Sequence, residues 1–384
     1  GQRLQTLKGH SNEVNCVTFS ADGSRVATAS DDYSVKIWNT ESGKEIGTLT
    51  GHETMVVGVA FSPLTSDVVS ADEDGRWLVT ASRDSTSIVW NTTNYTLDKT
   101  RRYGTSVRSA VFTHDSRYVA YCGDSGDIRF DSVENGIRWI SLVGQQEDTA
   151  HAIRIAPDDQ SMASVGSNGP IYLWDLPTQS IAHVIENDGV AFWGMDFSPD
   201  GRLFVAGDSE GRLRVWDISA GFHRTKLAAE PLGLQGIAIS PNSRFLALGQ
   251  HTGTRDPRQA SGGWQSWDIA AEIPRLVHQE TGDSIFSLAF SPDGEHLALG
   301  GLEHGSGKSI VRIVNSLTYK EQSQISLAEG VPMQLAILAD NRRLLVGSNA
   351  WESDVNTISL WDMVTNDRLD NQSLGHGSLH GENL

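Results

Sequence analysis

The sequence predicts an all-β protein built from a repeated unit, and three observations support this prediction. Glycine is frequent, with 38 residues against 11 prolines, which indicates many tight turns. The runs between these turns are short and rich in Val, Ile, Ala and Phe, as is typical of β-strands. The same local pattern recurs along the chain at a near-constant spacing, so the repeat governs the architecture.

Each repeat ends in an apolar run whose last large residue is followed by Asp or Asn. A second landmark lies upstream in most copies and is clearest at residues 197–201, which read FSPDG. A third landmark, Gly-His, occurs only at residues 9–10 and 51–52. The repeats end at Trp38, Trp90, Phe130, Trp174, Trp216, Trp267, Val314 and Trp361.

These three landmarks, recurring in a fixed order, resemble the WD-repeat β-propeller family over nearly the whole chain. Once loop insertions are removed, the spacing averages roughly 42 residues, within the ~40–45 expected for this repeat. The resemblance implies a single eight-bladed β-propeller of four-stranded antiparallel blades over residues 1–370. Residues 371–384 would form a C-terminal tail or the start of a further repeat. The alternative is seven blades plus an extra repeat.

The last blade has two possible sources for its outer strand. In the family, each sequence repeat begins with the outer strand of one blade and continues into the next. Residues 4–7 and residues 368–374 could therefore each supply the closing strand. This excess predicts that the chain belongs to a longer polypeptide or that one end hangs free.

Composition and charge exclude several classes of protein. The chain has 30 Lys and Arg against 48 Asp and Glu, a net charge of −18, which disfavours binding to phosphate backbones. No run approaches the ~20 apolar residues of a transmembrane helix, and residues 1–6 lack the apolar core of a signal peptide. Cys16 and Cys122 lie in apolar runs and are predicted to be buried free thiols. We expect a cytoplasmic, monomeric domain with no cofactor and no nucleic-acid or membrane partner.

One set of residues has the composition of a catalytic triad, with an imidazole, a carboxylate and a hydroxyl. The resemblance implies a structural role instead, in which the histidine joins the turn aspartate, a strand hydroxyl and the indole N–H of one blade. Each such buried group costs ~1–3 kcal/mol if it is left without a partner. The other repeats lack this histidine, and we expect strand pairing and apolar packing alone to hold them. The set is His10, Thr28, Asp32 and Trp38, repeated as His52, Thr80, Asp84 and Trp90.

Other motifs are weaker than their alternatives. Residues 305–309 read GSGKS, but Leu302 stands where a phosphate-binding loop needs its first glycine. Residues 70–81 partly match a calcium loop but lack its first and last ligands. The histidines are scattered, so no metal site is predicted, and no residue is predicted to be catalytic. Arg101 and Arg102 are expected to be solvated.

The resemblance places the partner-binding surface on the top face, which carries the loops before each first strand and the turns between the second and third strands. Counting six and four residues back from the Phe landmark gives the positions around the channel mouth, where apolar side chains are expected to reach solvent. Loop insertions at 251–262, 302–308 and 349–356 would stand beside them. The predicted partner-binding residues are Met55, Arg108, His151, Trp193, Phe286, Met333, Trp351 and Arg255.

The sequence therefore predicts a non-catalytic scaffold that binds a protein or peptide on the top face. Two alternatives remain open. One is the ligand-sensing domain of a larger signalling protein that carries an ATPase, kinase or protease. The other is a propeller hydrolase, because propellers of other families carry hydrolytic sites over the channel.

Overall fold

The structure, a computed structural model, describes fourteen stretches of the chain, and all structural statements refer to them. Every described element of regular structure is a β-strand. No helix among the described residues is long and apolar enough to cross a membrane. The described residues are 2–7, 9–63, 76–142, 149–166, 170–186, 192–208, 212–218, 223–227, 233–251, 262–270, 275–327, 330–338, 340–349 and 357–363.

The strands form eight four-stranded antiparallel sheets, so the predicted all-β fold of an eight-bladed propeller is confirmed. The chain divides into two compact units of four blades each. The unit made of residues 9–191 contains the first four blades. These are β2 (Val14–Phe19), β3 (Arg25–Ser30), β4 (Ser34–Asn39) and β5 (Glu45–Thr50); β6 (Val56–Phe61), β7 (Trp77–Ser82), β8 (Thr86–Asn91) and β9 (Thr96–Arg102); β10 (Val107–Phe112), β11 (Tyr118–Gly123), β12 (Ile128–Ser132) and β13 (Arg138–Leu142); and β14 (Ala150–Ile155), β15 (Ser161–Gly166), β16 (Ile171–Asp175) and β17 (Ser180–Ile185).

The other unit contains the fifth to eighth blades, and its last sheet recruits a strand from the start of the chain. The eighth blade has the order β1-β32-β31-β30. The strands are β18 (Phe192–Phe197), β19 (Leu203–Asp208), β20 (Leu213–Asp217) and β21 (His223–Leu227); β22 (Gly233–Ile239), β23 (Phe245–His251), β24 (Gly262–Asp268) and β25 (Arg275–Gly282); β26 (Ser284–Phe290), β27 (His296–Leu302), β28 (Ser309–Asn315) and β29 (Glu321–Ser326); and β30 (Val331–Ile337), β31 (Arg343–Asn349), β32 (Thr357–Asp362) and β1 (Gln2–Thr6).

The closing strand of the eighth blade comes from the N-terminal segment. β1 pairs antiparallel with β32, with Arg3 opposite Trp361 and Thr6 opposite Ser359. The competing segment 368–374 lies outside the described residues, as does the predicted tail at 371–384. Of the two sources that the sequence allowed, the described structure uses the first.

Apolar side chains from neighbouring blades share common cores. Trp90 and Ile88 of the second blade pack with Ile37 and Leu49 of the first. Trp90 is 2% exposed, which explains why each repeat ends in a large residue. Alternating strand residues bury one face in each of two inter-blade layers, so the apolar runs of the second and third strands are almost continuous.

A β-bulge occurs near the start of the first strand in all eight blades. In the third blade, Val107 pairs with Gly123 and Ser109 with Cys122, so that Arg108 has no opposite residue. A bulge of this kind bends the strand and re-aims the side chain of the extra residue. The bulge residues are Asn15, Val57, Arg108, His151, Trp193, Gln235, Phe286 and Met333.

Candidate functional site: the bulge edge

Five of the predicted partner-binding residues are bulge residues of first strands. The end of each blade that carries these bulges also carries the turn between the second and third strands, and we call it the bulge edge. The extra residue of a bulge is freed from the ladder, so its side chain is positioned independently of the pleat. The five residues are Arg108, His151, Trp193, Phe286 and Met333.

In the first unit, two of the bulge side chains are held by the turns beside them. The Nε atom of Arg108 donates to Oδ1 of Asp124 at 2.7 Å, and both side chains are about one-third exposed. This hydrogen bond holds the pKa of Asp124 below its ordinary value. Asn15 is held in the same way, because its amide donates to Asp31 at 2.6 Å. Asp124 and Asp31 occupy the same position in their turns. An Asp at this position is a sequence signal for a residue that holds the bulge side chain, and the partner-site prediction overlooked it.

His151 and Met55 complete the described part of this surface. The Nε2 atom of His151 lies 3.0 Å from the Thr149 hydroxyl, and the side chain is half-buried. Met55 directly precedes β6 and is also half-buried, and its carbonyl accepts the backbone N–H of Arg83 and the hydroxyl of Ser82. Hydrogen bonds therefore fix the backbone that presents these side chains.

In the second unit, the bulge edge is apolar and more deeply buried. Phe286 packs with Leu302 and Val331, and Met333 lies against this cluster. Phe286 is only 5% exposed, so the expectation that its ring reaches solvent is wrong. Its ring lies 5.1 Å from that of His251, and the side chain of Met333 is half-buried. Met333 is thus the more accessible of the two predicted anchors.

Three predicted partner-binding residues fall outside the described part of the chain. Arg255 and Trp351 belong to the undescribed segments 252–261 and 350–356. The backbone of Trp193 lies in β18, but its side chain is outside the described residues. The hairpin insertion at 302–308 is described: Glu303 and Lys308 pair across it, and the His304 N–H donates to Asp283 at 2.9 Å. It connects two strands, unlike a phosphate-binding loop.

The structure brings together the two four-residue sets that the sequence singled out. In the first blade, His10 Nδ1 lies 2.8 Å from Asp32 and Nε2 lies 2.7 Å from the Thr28 hydroxyl. The indole N–H of Trp38 donates to the same hydroxyl at 2.9 Å. Burial alone would raise the pKa of Asp32, but the hydrogen bonds from His10, Ser34 and the Ser11 N–H hold this pKa well below its ordinary value.

The second blade repeats this arrangement with nearly equal distances. His52 lies 2.8 Å from Asp84 and 2.6 Å from the Thr80 hydroxyl, which also accepts the Trp90 indole N–H at 3.0 Å. Thr80 is 0% exposed and its hydroxyl has a third contact at the Ile88 carbonyl. A nucleophile needs access to a substrate, whereas this hydroxyl faces the interior of the blade.

Other blades contain hydrogen-bonding groups in place of the histidine network, so the expectation that they rely on pairing and packing alone is wrong. The Trp174 indole donates to the Ser164 hydroxyl at 2.9 Å, and the Trp361 indole donates to Ser359 at 2.7 Å. In these blades a buried indole N–H is thus satisfied by a hydroxyl of the neighbouring strand or of its own strand.

The sixth and seventh blades are joined by an arginine surrounded by carboxylates. Arg312 donates to Glu280 at 2.6 Å and to Glu321 at 2.7 Å, and it lies 3.3 Å from Asp283. Burial alone would lower the pKa of Arg312, but the hydrogen bonds to Glu280 and Glu321 raise it. Glu280 also accepts the Trp264 indole N–H at 3.1 Å. The link connects the outer strand of one blade to the third strand of the next.

Two further expectations can be compared with the structure. Arg101 is 5% exposed and lies 3.5 Å from Asp131, so it is not solvated, although Arg102 is exposed.

Among the described residues, only residues 293, 295 and 296 bring three possible metal-binding side chains together, within 4.8 Å. The two carboxylates are exposed, and such groups are common without an ion, so we assign no metal site.

Eight four-stranded antiparallel blades, each with a bulged first strand, define a β-propeller. The His–Asp–Thr–Trp network of the first two blades is a more specific feature than the sheet topology. The sequence pattern of the family described as WD domain, G-beta repeat matches residues 1–39, 43–91 and 177–217. These matches and the repeated blades are consistent with the WD-repeat β-propeller family, which the chain resembles.

Several curated proteins are similar to part of this chain. The chain is 30% identical over 176 residues to "Periodic tryptophan protein 2" of Arabidopsis thaliana, covering 44% of this chain and 18% of that protein. It is 25% identical over 227 residues to "Transducin beta-like protein 2" of Mus musculus, covering 45% and 51%. It is 32% identical over 150 residues to "Nuclear distribution protein PAC1" of Arthroderma benhamiae, covering 38% and 32%. The chain thus spans about half or less of each of these relatives.

Proposed function

We propose that this chain is a non-catalytic interaction scaffold that binds a protein or peptide partner along its bulge edge. The similarity to WD-repeat proteins supports the scaffold role in general. The finer assignment, to the bulge edge, rests on the geometry of the first strands. A cytoplasmic location and a monomeric state remain predictions.

One observation carries the proposal: the bulge recurs at the same register in all eight blades, while the residue it frees differs from blade to blade. A structural requirement explains the constant backbone irregularity. The same requirement does not explain why different blades carry Asn, Val, Arg, His, Phe and Met at the freed position. A rigid backbone that presents variable side chains is the arrangement expected of a recognition surface.

The non-catalytic part of the proposal rests on accessibility. The hydroxyls of Thr28 and Thr80 complete the two Asp–His–hydroxyl sets that the sequence singled out, and both threonines are 0% exposed. Each hydroxyl also accepts an indole N–H, which opposes its action as a nucleophile.

The test is an affinity pull-down from an extract of the source organism with three forms of the protein. Arg108→Glu reverses a charge on the bulge edge. Arg117→Glu is the matched control, because Arg117 lies at the opposite end of the same two strands, is 77% exposed and has one aspartate neighbour at 3.8 Å. Both variants change net charge equally. Arg117→Glu should keep the wild-type melting temperature within about 2 °C, since surface changes cost ≲0.5 kcal/mol, whereas Arg108→Glu places a second carboxylate beside Asp124 and should lower it by a few degrees.

The proposal predicts at least one protein that is retained by the wild type and by Arg117→Glu but lost with Arg108→Glu. Identical protein sets from all three forms would show that the bulge edge of the third blade is not the binding surface. Turnover of general ester or glycoside substrates, lost on mutation of a described residue, would contradict the non-catalytic assignment.

A further inference from the structure

Three tyrosines adopt the left-handed backbone conformation that side chains other than glycine rarely occupy. Their φ angles are 70° at Tyr33, 58° at Tyr95 and 58° at Tyr319. A bulky residue in this region is strained, so each of these positions calls for an interaction that offsets the strain.

Two of the three have such an interaction, because their rings pack on the preceding blade. The Tyr95 ring covers Gly47 of β5, where it occupies the space that a Cβ atom would need. The Tyr319 ring stacks on His278 of β25, with ring centroids 4.4 Å apart and planes at 24°. In both cases, inter-blade contact explains why tyrosine stands where glycine would be easier.

Tyr33 has no comparable contact among the described residues. Its side chain is 50% exposed, and its one hydrogen bond is from its backbone N–H to the Ser30 carbonyl. Equivalent turns of the next two blades use smaller residues, Ser85 at φ 71° and Gly126 at φ 74°. Packing within the blades therefore does not explain the strained ring of Tyr33.

The turn that carries Tyr33 is rigid. The carboxylate of Asp32 accepts from the ring of His10, from the Ser11 N–H at 3.0 Å and from the Ser34 N–H at 3.0 Å. The carboxylate of Asp31 accepts from Asn15, the bulge residue of the same blade. The backbone at Tyr33 is thus held at the bulge edge in one conformation, which reduces the entropy lost when a partner binds.

We propose that Tyr33 is a preorganised anchor of the bulge edge and that it takes an arginine side chain of the partner. This inference rests on the proposed function and names one contact within it. An exposed tyrosine ring binds a guanidinium over its face, and the planar guanidinium can stack on the ring while it bonds to a carboxylate. Asp31, which is half-buried, places a carboxylate in the same turn, whereas the carboxylate of Asp32 is 9% exposed and already bonded within the blade. The chain as a whole carries a net charge of −18.

The experiment uses short random peptides displayed on phage and selected on the wild-type protein. The best-enriched peptide is then synthesised with arginine and with citrulline, its uncharged analogue. Affinities are measured for the wild type, for Tyr33→Gly and for the matched control Ser85→Gly, which relieves the same strain in the next blade. Melting temperatures are measured for all three proteins.

The inference predicts enrichment of arginine-containing peptides and a roughly tenfold loss of affinity in Tyr33→Gly, within the range of a desolvated cation–π contact. Ser85→Gly should bind like the wild type. The citrulline peptide should bind the wild type at least tenfold more weakly than the arginine peptide does, and Tyr33→Gly should weaken its binding far less than it weakens that of the arginine peptide. Tyr33→Gly should melt no lower than the wild type, because glycine tolerates this backbone conformation.

Several results would overturn the inference. These are peptides without arginine, equal binding by Tyr33→Gly, a clear fall in the melting temperature of that variant, or the selection of no peptide at all. If the selected peptides are sensitive to Arg108→Glu but not to Tyr33→Gly, the proposed function stands and only the anchor is refuted.

Discussion

Removing the imidazole of His52 should destabilise the protein. The ring of His52 is 1% exposed and bonds to the carboxylate of Asp84, itself 5% exposed. His52→Ala deletes a hydrogen bond to a charged group, worth ~1.5–3 kcal/mol, and leaves a cavity beside Trp90. We expect the free energy of unfolding to fall by about 2–4 kcal/mol, measured by equilibrium denaturation in urea.

Two controls separate the network from general disturbance. Glu53→Ala keeps the backbone N–H that donates to Asp84 at 2.9 Å, and it should cost less than about 0.5 kcal/mol. A double-mutant cycle of His52→Ala with Asp84→Asn should give a coupling energy of about 1–2 kcal/mol, because the two side chains are in contact. Strictly additive effects, or a cost for His52→Ala no larger than that of Glu53→Ala, would refute the reasoning.

Three further perturbations test other contacts of the structure. Asp159→Asn should lower the free energy of unfolding by about 1–3 kcal/mol at pH 7, because the carboxylate accepts two hydrogen bonds from His114 and one from the Asp115 N–H. Burial alone would raise the pKa of Asp159, but these bonds hold it below its ordinary value of 3.8. That difference should vanish as the pH falls through the shifted pKa, and a cost that persists there in thermal melts would contradict it. Phe286→Ala should cost about 3–5 kcal/mol in denaturant titrations, whereas an exposed ring would cost almost nothing. Arg312→Met should cost about 1–3 kcal/mol at pH 7, because two of its carboxylate partners are more than one-third exposed, and less at pH 4 as the pKa of Glu280 is approached. A cost independent of pH would argue against the carboxylate cluster.

The repeat made the blades predictable. The landmarks mark the ends of first and third strands, and the strands are so regular in length that counting back from Phe112 reaches the bulge residue Arg108. The two histidine networks were predictable for the same reason, since each depends on residues at fixed positions within one blade.

Contacts between blades could not be read from the repeat. The burial of Phe286 depends on Leu302 and Val331, which come from two other strands. Arg312 meets Glu280 only because two blades place their strands side by side. These contacts depend on side chains that differ from repeat to repeat, so the shared pattern carries no information about them.

The left-handed backbone of Tyr33 could not be predicted from the residues of its own repeat. The signal lies in the third repeat, where Gly126 occupies the equivalent turn position with φ 74°. Glycine there indicates a left-handed residue, and aligning the turns carries that constraint to Tyr33.

The most direct test of binding at the bulge edge is hydrogen exchange of the protein with and without a captured partner, read by mass spectrometry. The account predicts slower exchange around residues 54–57, 106–108 and 149–151 and in the turn at 31–33. Exchange at the opposite ends of the same strands, around residues 113–117 and 156–160, should be unchanged. Protection confined to those opposite turns, or to the outer strands, would contradict the central claim.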